Sequence, residues 1–447
     1  MDRDKDLNET EKTEKEKSVN NVQKIFHVFN DNLDGVNLYF RKFESIAIGE
    51  DETMKDEYSN FFKEVLSELE TEISKVKEEQ SNGFDNSKAK LIEITKDSEV
   101  VETEFEDEDE DEEEDDPRLN ELFKRFAVKM SKRPKISPKN FEILSRGTFL
   151  MLNNYFEHLL ADLLTYYYNK FKNSLDAKEF KVSLQELNEY DTIEEITKHL
   201  ILKEVENIIV EKTFDQLLEH FEKTLNISLE KEIISWDKII EIRERRHLIV
   251  HNSSIVNKKY ISRTKNPYNY NIGDIVHIDK DYFHQSYRQL RVAGQVLVFN
   301  CWGNWDKENL DNAIYQMLVS SFESLNNKDF ESVLKICKYC EQITARNEEQ
   351  EDYLLRLKIN KAISLKKQNN KSELTKVLKT IKIGTSTPIF KIAFQILNDD
   401  YKGLVELFQK AILLDELIID YYLDWPIFDF VRSNEKLNKT LLNTFKM

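Results

Sequence analysis

The 447-residue sequence contains only 9 glycines and 6 prolines, and it is rich in Leu, Ile, Lys, Glu and Asn. Glycine and proline are the residues that most weaken or interrupt helices, so their scarcity predicts an all-α protein. No apolar run approaches the roughly 18 residues that a membrane span needs, which predicts a protein without a membrane partner. Residues 1–17 alternate acidic residues with lysines and lack the apolar stretch of a secretory signal.

Cysteine is also scarce, with Cys301, Cys337 and Cys340 as the three members. A sparse and odd set in a long chain indicates a reducing compartment, so we expect a cytoplasmic protein. Cys337 and Cys340 form a Cys-x-x-Cys pair within an apparently amphipathic helix, and we interpret them as buried core thiols. No second such pair occurs to complete a zinc site. The phosphate-binding Gly-x4-Gly-Lys-Ser/Thr and the hydrolase Gly-x-Ser-x-Gly are also absent from the sequence.

The net charge of −19 is distributed unevenly along the chain. Residues 1–117 carry 15 Lys or Arg against 38 Asp or Glu, residues 118–300 carry 29 against 25, and residues 301–447 carry 21 against 21. The middle segment is therefore mildly basic although the whole chain is acidic. Because the local field matters more than the total charge for a polyanion, the composition leaves nucleic acid open as a ligand of the middle segment.

An unbroken acidic run, Glu106–Asp116, marks the main boundary between domains. Such a run repels itself and buries no apolar surface, which predicts an extended linker. A second interpretation is autoinhibition, in which this tethered polyanion occupies an RNA-binding surface. A basic cluster follows the run, and it is either a solvated face or an RNA contact: Lys124, Arg125, Lys129, Lys132, Arg133, Lys135 and Lys139.

The stretch from Trp236 to Tyr260 contains the residues that we predict to be catalytic. Its first part has helical spacing, and Ile239, Ile242, Arg246 and Ile249 fall on one predicted face, so an arginine stands where an apolar residue is expected. Ser253 and Ser254 weaken the helix, which predicts that His251 lies at or near its end. Arg246, His247 and His251 together form an Arg-His-x3-His motif. A permanent guanidinium charge and an imidazole that titrates near neutrality suit metal-free cleavage of RNA.

This stretch resembles the signature of the HEPN superfamily, in which an arginine is followed by a polar residue and, a few residues later, a histidine. Arg246, His247 and His251 match those positions, and Asn252, Asn257 and Tyr260 resemble the RiboL-PSP-like and Apea-like bacterial branch. The resemblance covers roughly residues 141–300. It implies an antiparallel helical bundle that forms a homodimer, with the motifs of two copies facing each other in a composite ribonuclease site.

The resemblance implies a metal-independent endoribonuclease without a cofactor, of the kind that serves as a toxin or as an abortive-infection effector in anti-phage defence. His251 would act as general acid or base, and Arg246 would stabilise the transferring phosphate. His247 and Asn252 would support the site by positioning that phosphate. The remaining candidates for contact with RNA are basic residues before and within the motif helix: Lys129, Lys132, Arg133, Lys135, Arg243 and Arg245.

Three other interpretations of the motif stay open. In the first, Arg246 and His251 are surface charges without a catalytic role. His247 and His251 are four residues apart, which also suits zinc, but Leu248 stands where a His-Glu-x-x-His motif has glutamate and no third ligand is evident. Alternatively, the bundle is a non-catalytic dimerisation module that recruits a protein partner through its C-terminal helices. Retention of both Arg246 and His251 favours the enzyme.

The rest of the sequence predicts the domain organisation. Residues 1–99 form an N-terminal helical region with two helices, and Leu33-Asp34-Gly35 marks a break or bend. The two helices form either a hairpin or a pair that binds a partner. Residues 100–117 form the acidic linker. Residues 118–304 form the HEPN-like bundle. Residues 305–447 resemble a tetratricopeptide-type helical repeat, because segments beginning at Asp329 and Asp400 have similar layouts, with aromatic positions 71 residues apart. Such stacked helices favour a surface for peptide binding or assembly over a catalytic one, and the alternative is a packed helical cap without a binding role.

Overall fold

A computed structural model describes residues 3–81, 117–131, 139–175, 179–384 and 387–445. By internal contacts the chain forms two compact units, one of Met1–Phe40 with Ser145–Met447 and the other of Arg41–Leu144. The boundaries predicted at residues 99, 117 and 304 stay predictions. The acidic run Glu106–Asp116 and three of the basic candidates, Lys132, Arg133 and Lys135, lie outside the described residues.

The described residues form α-helices and three short 3-10 helices and contain no strand, which confirms the predicted all-α class. None of these helices is both long enough and apolar enough to cross a membrane. The helices are α1 Arg3–Ser81, α2 Pro117–Ser131, α3 Asn140–Lys170, α4 Leu184–Leu187, α5 Ile193–Glu211, α6 Phe214–Lys223, α7 Trp236–His251, α8 Lys258–Thr264, α9 Lys280–Trp305, α10 Leu310–Asn326, α11 Phe330–Cys340, α12 Glu348–Lys367, α13 Lys371–Thr380, α14 Pro388–Leu397, α15 Leu404–Leu413, α16 Ile419–Asp424, α17 Asp429–Arg432 and α18 Glu435–Thr444.

The N-terminal hairpin was a wrong prediction, because α1 runs without interruption through Leu33-Asp34-Gly35. A single glycine costs a helix only about 1 kcal/mol, and tertiary contacts on both sides of it outweigh that cost. Asp34 accepts hydrogen bonds from Arg291 of α9 at 2.9 and 3.2 Å. The apolar stripe continues in phase across the glycine to Phe40, whose ring stacks on that of Phe283 at 3.8 Å between centroids.

Helix α9 is the central element of the first unit, and most of its residues are buried. It contacts α7, α10 and α11, and its Phe299 ring lies 5.0 Å from that of Phe26 in α1. The close approach of α1 requires the absence of a side chain at Gly294, since a methyl group there would overlap the ring of Phe29. Helix α9 therefore forms the core against which the motif helix packs.

Beyond α9 the chain continues as short helices in which α10, α11 and α12 pack together and α14 packs on α15. The two segments with similar sequence layouts begin differently. Phe330 is the first residue of α11, capped by Asp329, which accepts from Ser332 N at 3.3 Å, whereas Tyr401 precedes α15, which begins after a left-handed Gly403. The tetratricopeptide-like arrangement thus stays a prediction.

Candidate functional site

Helix α7 carries the Arg-His-x3-His motif and ends at His251, with Asn252 as its C-cap. Ser253 and Ser254 both adopt left-handed backbone conformations, with φ of 49° and 66°, so the helix stops there. The predicted position of His251 at a helix end is thus confirmed. Asn252 donates its side-chain amide to the carbonyl oxygen of Ile255 at 2.5 Å, so this residue holds the turn that follows the motif.

The buried face of α7 is shifted by one position from the predicted face at its C-terminal end. The buried positions are occupied by Ile239, Ile242 and Leu248 together with Arg245, whereas Arg246 is only partly buried. The sequence spacing tolerates either arginine, because positions three and four residues along a helix both lie near the same face. The arginine that takes the place of an apolar residue is therefore Arg245.

Arg245 lies in a sealed polar cluster with only 2% of its surface exposed. Its Nε donates to Glu241 at 2.8 Å and one terminal nitrogen donates to the carbonyl oxygen of His277 at 3.0 Å. The hydroxyls of Tyr260 and Tyr282 donate to the same carboxylate at 2.6 and 2.7 Å. Burial first, and then the charge of Glu241, raise the pKa of both phenols, which keeps them protonated as donors. Arg245 cannot reach a phosphate from this position, so its predicted role as an RNA contact is wrong.

The Arg245 cluster fixes the segment that follows the motif. His277, whose carbonyl receives Arg245, belongs to a stretch that pairs with the residues after α7. Val276 N donates to Ser254 O at 2.9 Å and Val256 N to Asp274 O at 2.8 Å, with an antiparallel bridge between Ile255 and Ile275. Below this pairing, a small apolar cluster buries Leu248, Val256, Tyr260 and Val276. The end of α7 that bears His251 is thereby held on both sides.

His247 and His251 lie side by side at the end of α7, with ring centroids 4.8 Å apart. The imidazole of His251 is exposed and that of His247 is partly buried. Desolvation first, and then the positive charges of Lys259 and His251, lower the pKa of His247 below its ordinary value. A neutral imidazole next to a second, solvent-facing imidazole can accept a proton while its neighbour donates one.

Arg246 is the third member of the motif, and it does not lie beside His251 in one chain. Residues five positions apart on a helix leave its axis in directions about 140° apart. The Nε atom of Arg246 is buried and has no hydrogen-bond partner among the described residues. Its charge still acts on His247, since it contributes to the lowered pKa of that imidazole. The positions of Arg246 and His251 are therefore on different sides of α7 within one copy of the chain.

Two other predicted RNA contacts form ion pairs within the fold. Arg243 pairs with Glu157 of α3, and its guanidinium lies 4.6 Å from the ring centre of Phe214. Lys129, in the second unit, pairs with Glu68 but stays half exposed. A contact between Arg243 and RNA would require breaking its ion pair. Lys259, which the sequence did not single out, is exposed, and its charge lowers the pKa of His247. The signal that could have found it is the Lys258-Lys259 pair directly after the motif.

The described residues contain no second candidate site of two kinds, a reactive cysteine or a cluster of metal ligands. Cys337 and Cys340 are buried and free, as the sequence predicted, and burial raises the pKa of the Cys337 thiol to about 12. Such a thiol is protonated at neutral pH and is a poor nucleophile. No group of three or more His, Cys, Asp or Glu side chains suited to a metal ion occurs in the described part of the chain.

A scan against protein-family models, a search of curated proteins and a search of solved structures each found no match to this chain.

Proposed function

We propose that the protein is a metal-independent endoribonuclease of the HEPN type. The observation that supports this most directly is the pair of imidazoles of His247 and His251, 4.8 Å apart at the exposed end of α7. His247 is accompanied by fixed positive charge from Lys259 and Arg246. A site of this composition attracts a phosphodiester and offers a proton acceptor and a proton donor beside it.

The chemistry follows from these groups. One imidazole removes the proton of the ribose 2′-hydroxyl, whose oxygen attacks the adjacent phosphorus, and the other imidazole protonates the departing 5′-oxygen. The lowered pKa of His247 suits the accepting role and the exposure of His251 suits the donating role. Arg246 stabilises the charge on the phosphorus oxygens. The products are a 2′,3′-cyclic phosphate and a 5′-hydroxyl.

The direction of Arg246 within one chain favours a site completed by a second copy. Around the motif end, the side chains of Val250, Ile255 and Ile275 are exposed although they are apolar. A symmetric contact through this patch buries it and brings the motif ends of two copies together. In that arrangement the guanidinium of one copy faces the imidazoles of the other, and RNA is the shared ligand.

The resemblance to HEPN proteins carries the biological part of the proposal, which is a cytoplasmic toxin or an abortive-infection effector of anti-phage defence. The alternative is an adaptor that dimerises through this region and binds a protein partner through its C-terminal helices. The exposed apolar side chains of α15 and α16 support that alternative. The two proposals differ in whether RNA is cut.

The test is incubation of purified protein with RNA in excess EDTA. The wild-type chain should cleave, and Arg246→Ala, His247→Ala and His251→Ala should each lose about 100-fold or more in rate, as expected for loss of an acid, a base or an oxyanion ligand. His158→Ala, a change of an exposed histidine on α3, is the matched control and should cut normally. Absence of cleavage by folded wild-type protein, or cleavage of equal rate by all variants, would contradict the proposal.

A further inference from the structure

The end of α15, the turn after it and α16 expose an unusual amount of apolar surface. Within eleven consecutive residues, six large apolar side chains are between 39% and 83% exposed: Leu413, Leu414, Ile418, Ile419, Tyr421 and Leu423. Surfaces of soluble proteins seldom concentrate apolar groups in this way unless a partner covers them. We call residues 413–424 the acidic-apolar surface.

Acidic side chains are interleaved with these apolar groups. Asp415, Asp420 and Asp424 are exposed, and within the described part of the chain none of the three has an ion-pair partner. No lysine or arginine occurs between Lys410 and Arg432 in the sequence. The surface therefore combines apolar groups with negative charge that nothing in its own stretch neutralises.

The acidic-apolar surface is firmly held by the fold. Leu417 and Tyr422, which alternate with the exposed residues, are 1% and 0% exposed. The hydroxyl of Tyr422 donates to Asn438 of α18 at 2.7 Å, and Arg432 donates to the Tyr422 carbonyl. The exposed side chains are thus presented by an anchored backbone, which lowers the entropy cost of binding.

The arrangement on α16 defines what fits it. Ile419 and Leu423 are four residues apart and form one row along the helix, and Asp420 and Asp424 form the neighbouring row. A complementary ligand has an apolar row flanked by a row of positive charges. An amphipathic helix with lysines or arginines beside its apolar stripe has that pattern.

We propose that the acidic-apolar surface binds a cationic amphipathic helix of a partner protein. The charges argue against the other occupants. RNA and anionic lipid are repelled by the three aspartates, and a second copy joined through the same surface would oppose its aspartates to each other. This binding activity is separate from the ribonuclease site, since it requires neither Arg246 nor either histidine.

The test uses the full chain and a fluorescently labelled synthetic peptide, an amphipathic helix of leucine and lysine of about five turns, measured by fluorescence anisotropy. The wild-type chain should bind it, and Asp420→Lys with Asp424→Lys should weaken binding by about tenfold or more. The same double variant should gain affinity for a peptide in which every lysine is replaced by glutamate. Leu413→Ser with Leu423→Ser should weaken binding of the lysine peptide without reversing the charge preference.

The matched control is Glu206→Lys with Glu211→Lys on α5, where both glutamates are exposed beside exposed Leu202 and Val210. This double variant changes the net charge by the same amount as Asp420→Lys with Asp424→Lys, but at another partly apolar surface. Binding of the lysine peptide should therefore be retained. Equal losses of peptide affinity in the control and in Asp420→Lys with Asp424→Lys would overturn the proposal. It would also be overturned if the wild-type chain bound no peptide but bound zwitterionic vesicles, and if Leu413→Ser with Leu423→Ser abolished that vesicle binding. Circular dichroism establishes that each variant is folded.

Discussion

The carboxylate of Glu241 and the guanidinium of Arg245, one helical turn apart on α7, form an ion pair of 2.8 Å that is sealed from solvent. The adjacent residue, Arg246, is only partly buried and belongs to the candidate site. Two neighbouring arginines therefore have separate tasks. Arg245 stabilises the fold and positions the segment after the motif, and Arg246 is the arginine that the proposed ribonuclease site uses.

This division predicts opposite effects for the two arginines. Replacing Arg245 with methionine leaves the Glu241 carboxylate buried without its counterion, and the free energy of unfolding should fall by about 3–5 kcal/mol. Replacing Arg246 with methionine should change it by less than about 1 kcal/mol while abolishing RNA cleavage. Urea unfolding followed by circular dichroism measures both. Similar stabilities of the two variants would show that the sealed ion pair is not needed by the fold.

The pKa of His247 should depend on Lys259. Since the positive charge of Lys259 lowers that pKa after desolvation, Lys259→Gln should raise it toward the ordinary value of about 6.5. In the wild-type chain the stability contributed by neutral His247 is present above that ordinary value and is lost as pH falls through the lower folded-state pKa. NMR titration of the imidazole measures the shift. Lys258→Gln, the neighbouring substitution, should leave the pKa of His247 unchanged.

Dimerisation through the motif end should depend on Ile255 and Ile275, which are exposed and bridged to each other. Ile255→Glu with Ile275→Glu places like charges on both copies of a symmetric contact, so the chain should become monomeric and lose RNA cleavage. Sedimentation velocity measures the oligomeric state. Ile193→Glu, at an even more exposed position on α5, should alter neither property. A monomeric wild-type chain that still cuts RNA would contradict the composite site.

The contact between α1 and α9 should be sensitive to a single methyl group. Gly294→Ala would force Phe29 to move and would bring the new methyl within 2.8 Å of Leu159 Cδ2. Overpacking of this kind costs about 1–3 kcal/mol. Gly147→Ala on α3 meets nothing within 4 Å, so it should stabilise the protein by about 0.5–1 kcal/mol through higher helix propensity. Thermal unfolding of the two variants should therefore shift in opposite directions.

Local properties of the sequence were enough to predict the helical class, the end of α7 near His251 and the burial of Cys337 and Cys340. Each depends on near neighbours. Helix formation follows from scarce glycine and proline and from periodic apolar residues, and the helix ends where Ser253 and Ser254 turn left-handed. The proximity of His247 and His251 is likewise set by their four-residue spacing on one helix.

Tertiary structure decided what the spacing left open. Helical periodicity allows either Arg245 or Arg246 to face inward, and the choice is made by Tyr260 and Tyr282, which arrive from other helices to satisfy the Glu241 carboxylate beside Arg245. Helix α1 continues through Gly35 because Asp34 and Phe40 find partners on α9, which lies about 250 residues away in sequence. Neighbouring residues fix periodicity and local conformation, whereas the choice between Arg245 and Arg246 and the continuity of α1 depend on contacts between residues far apart in the chain.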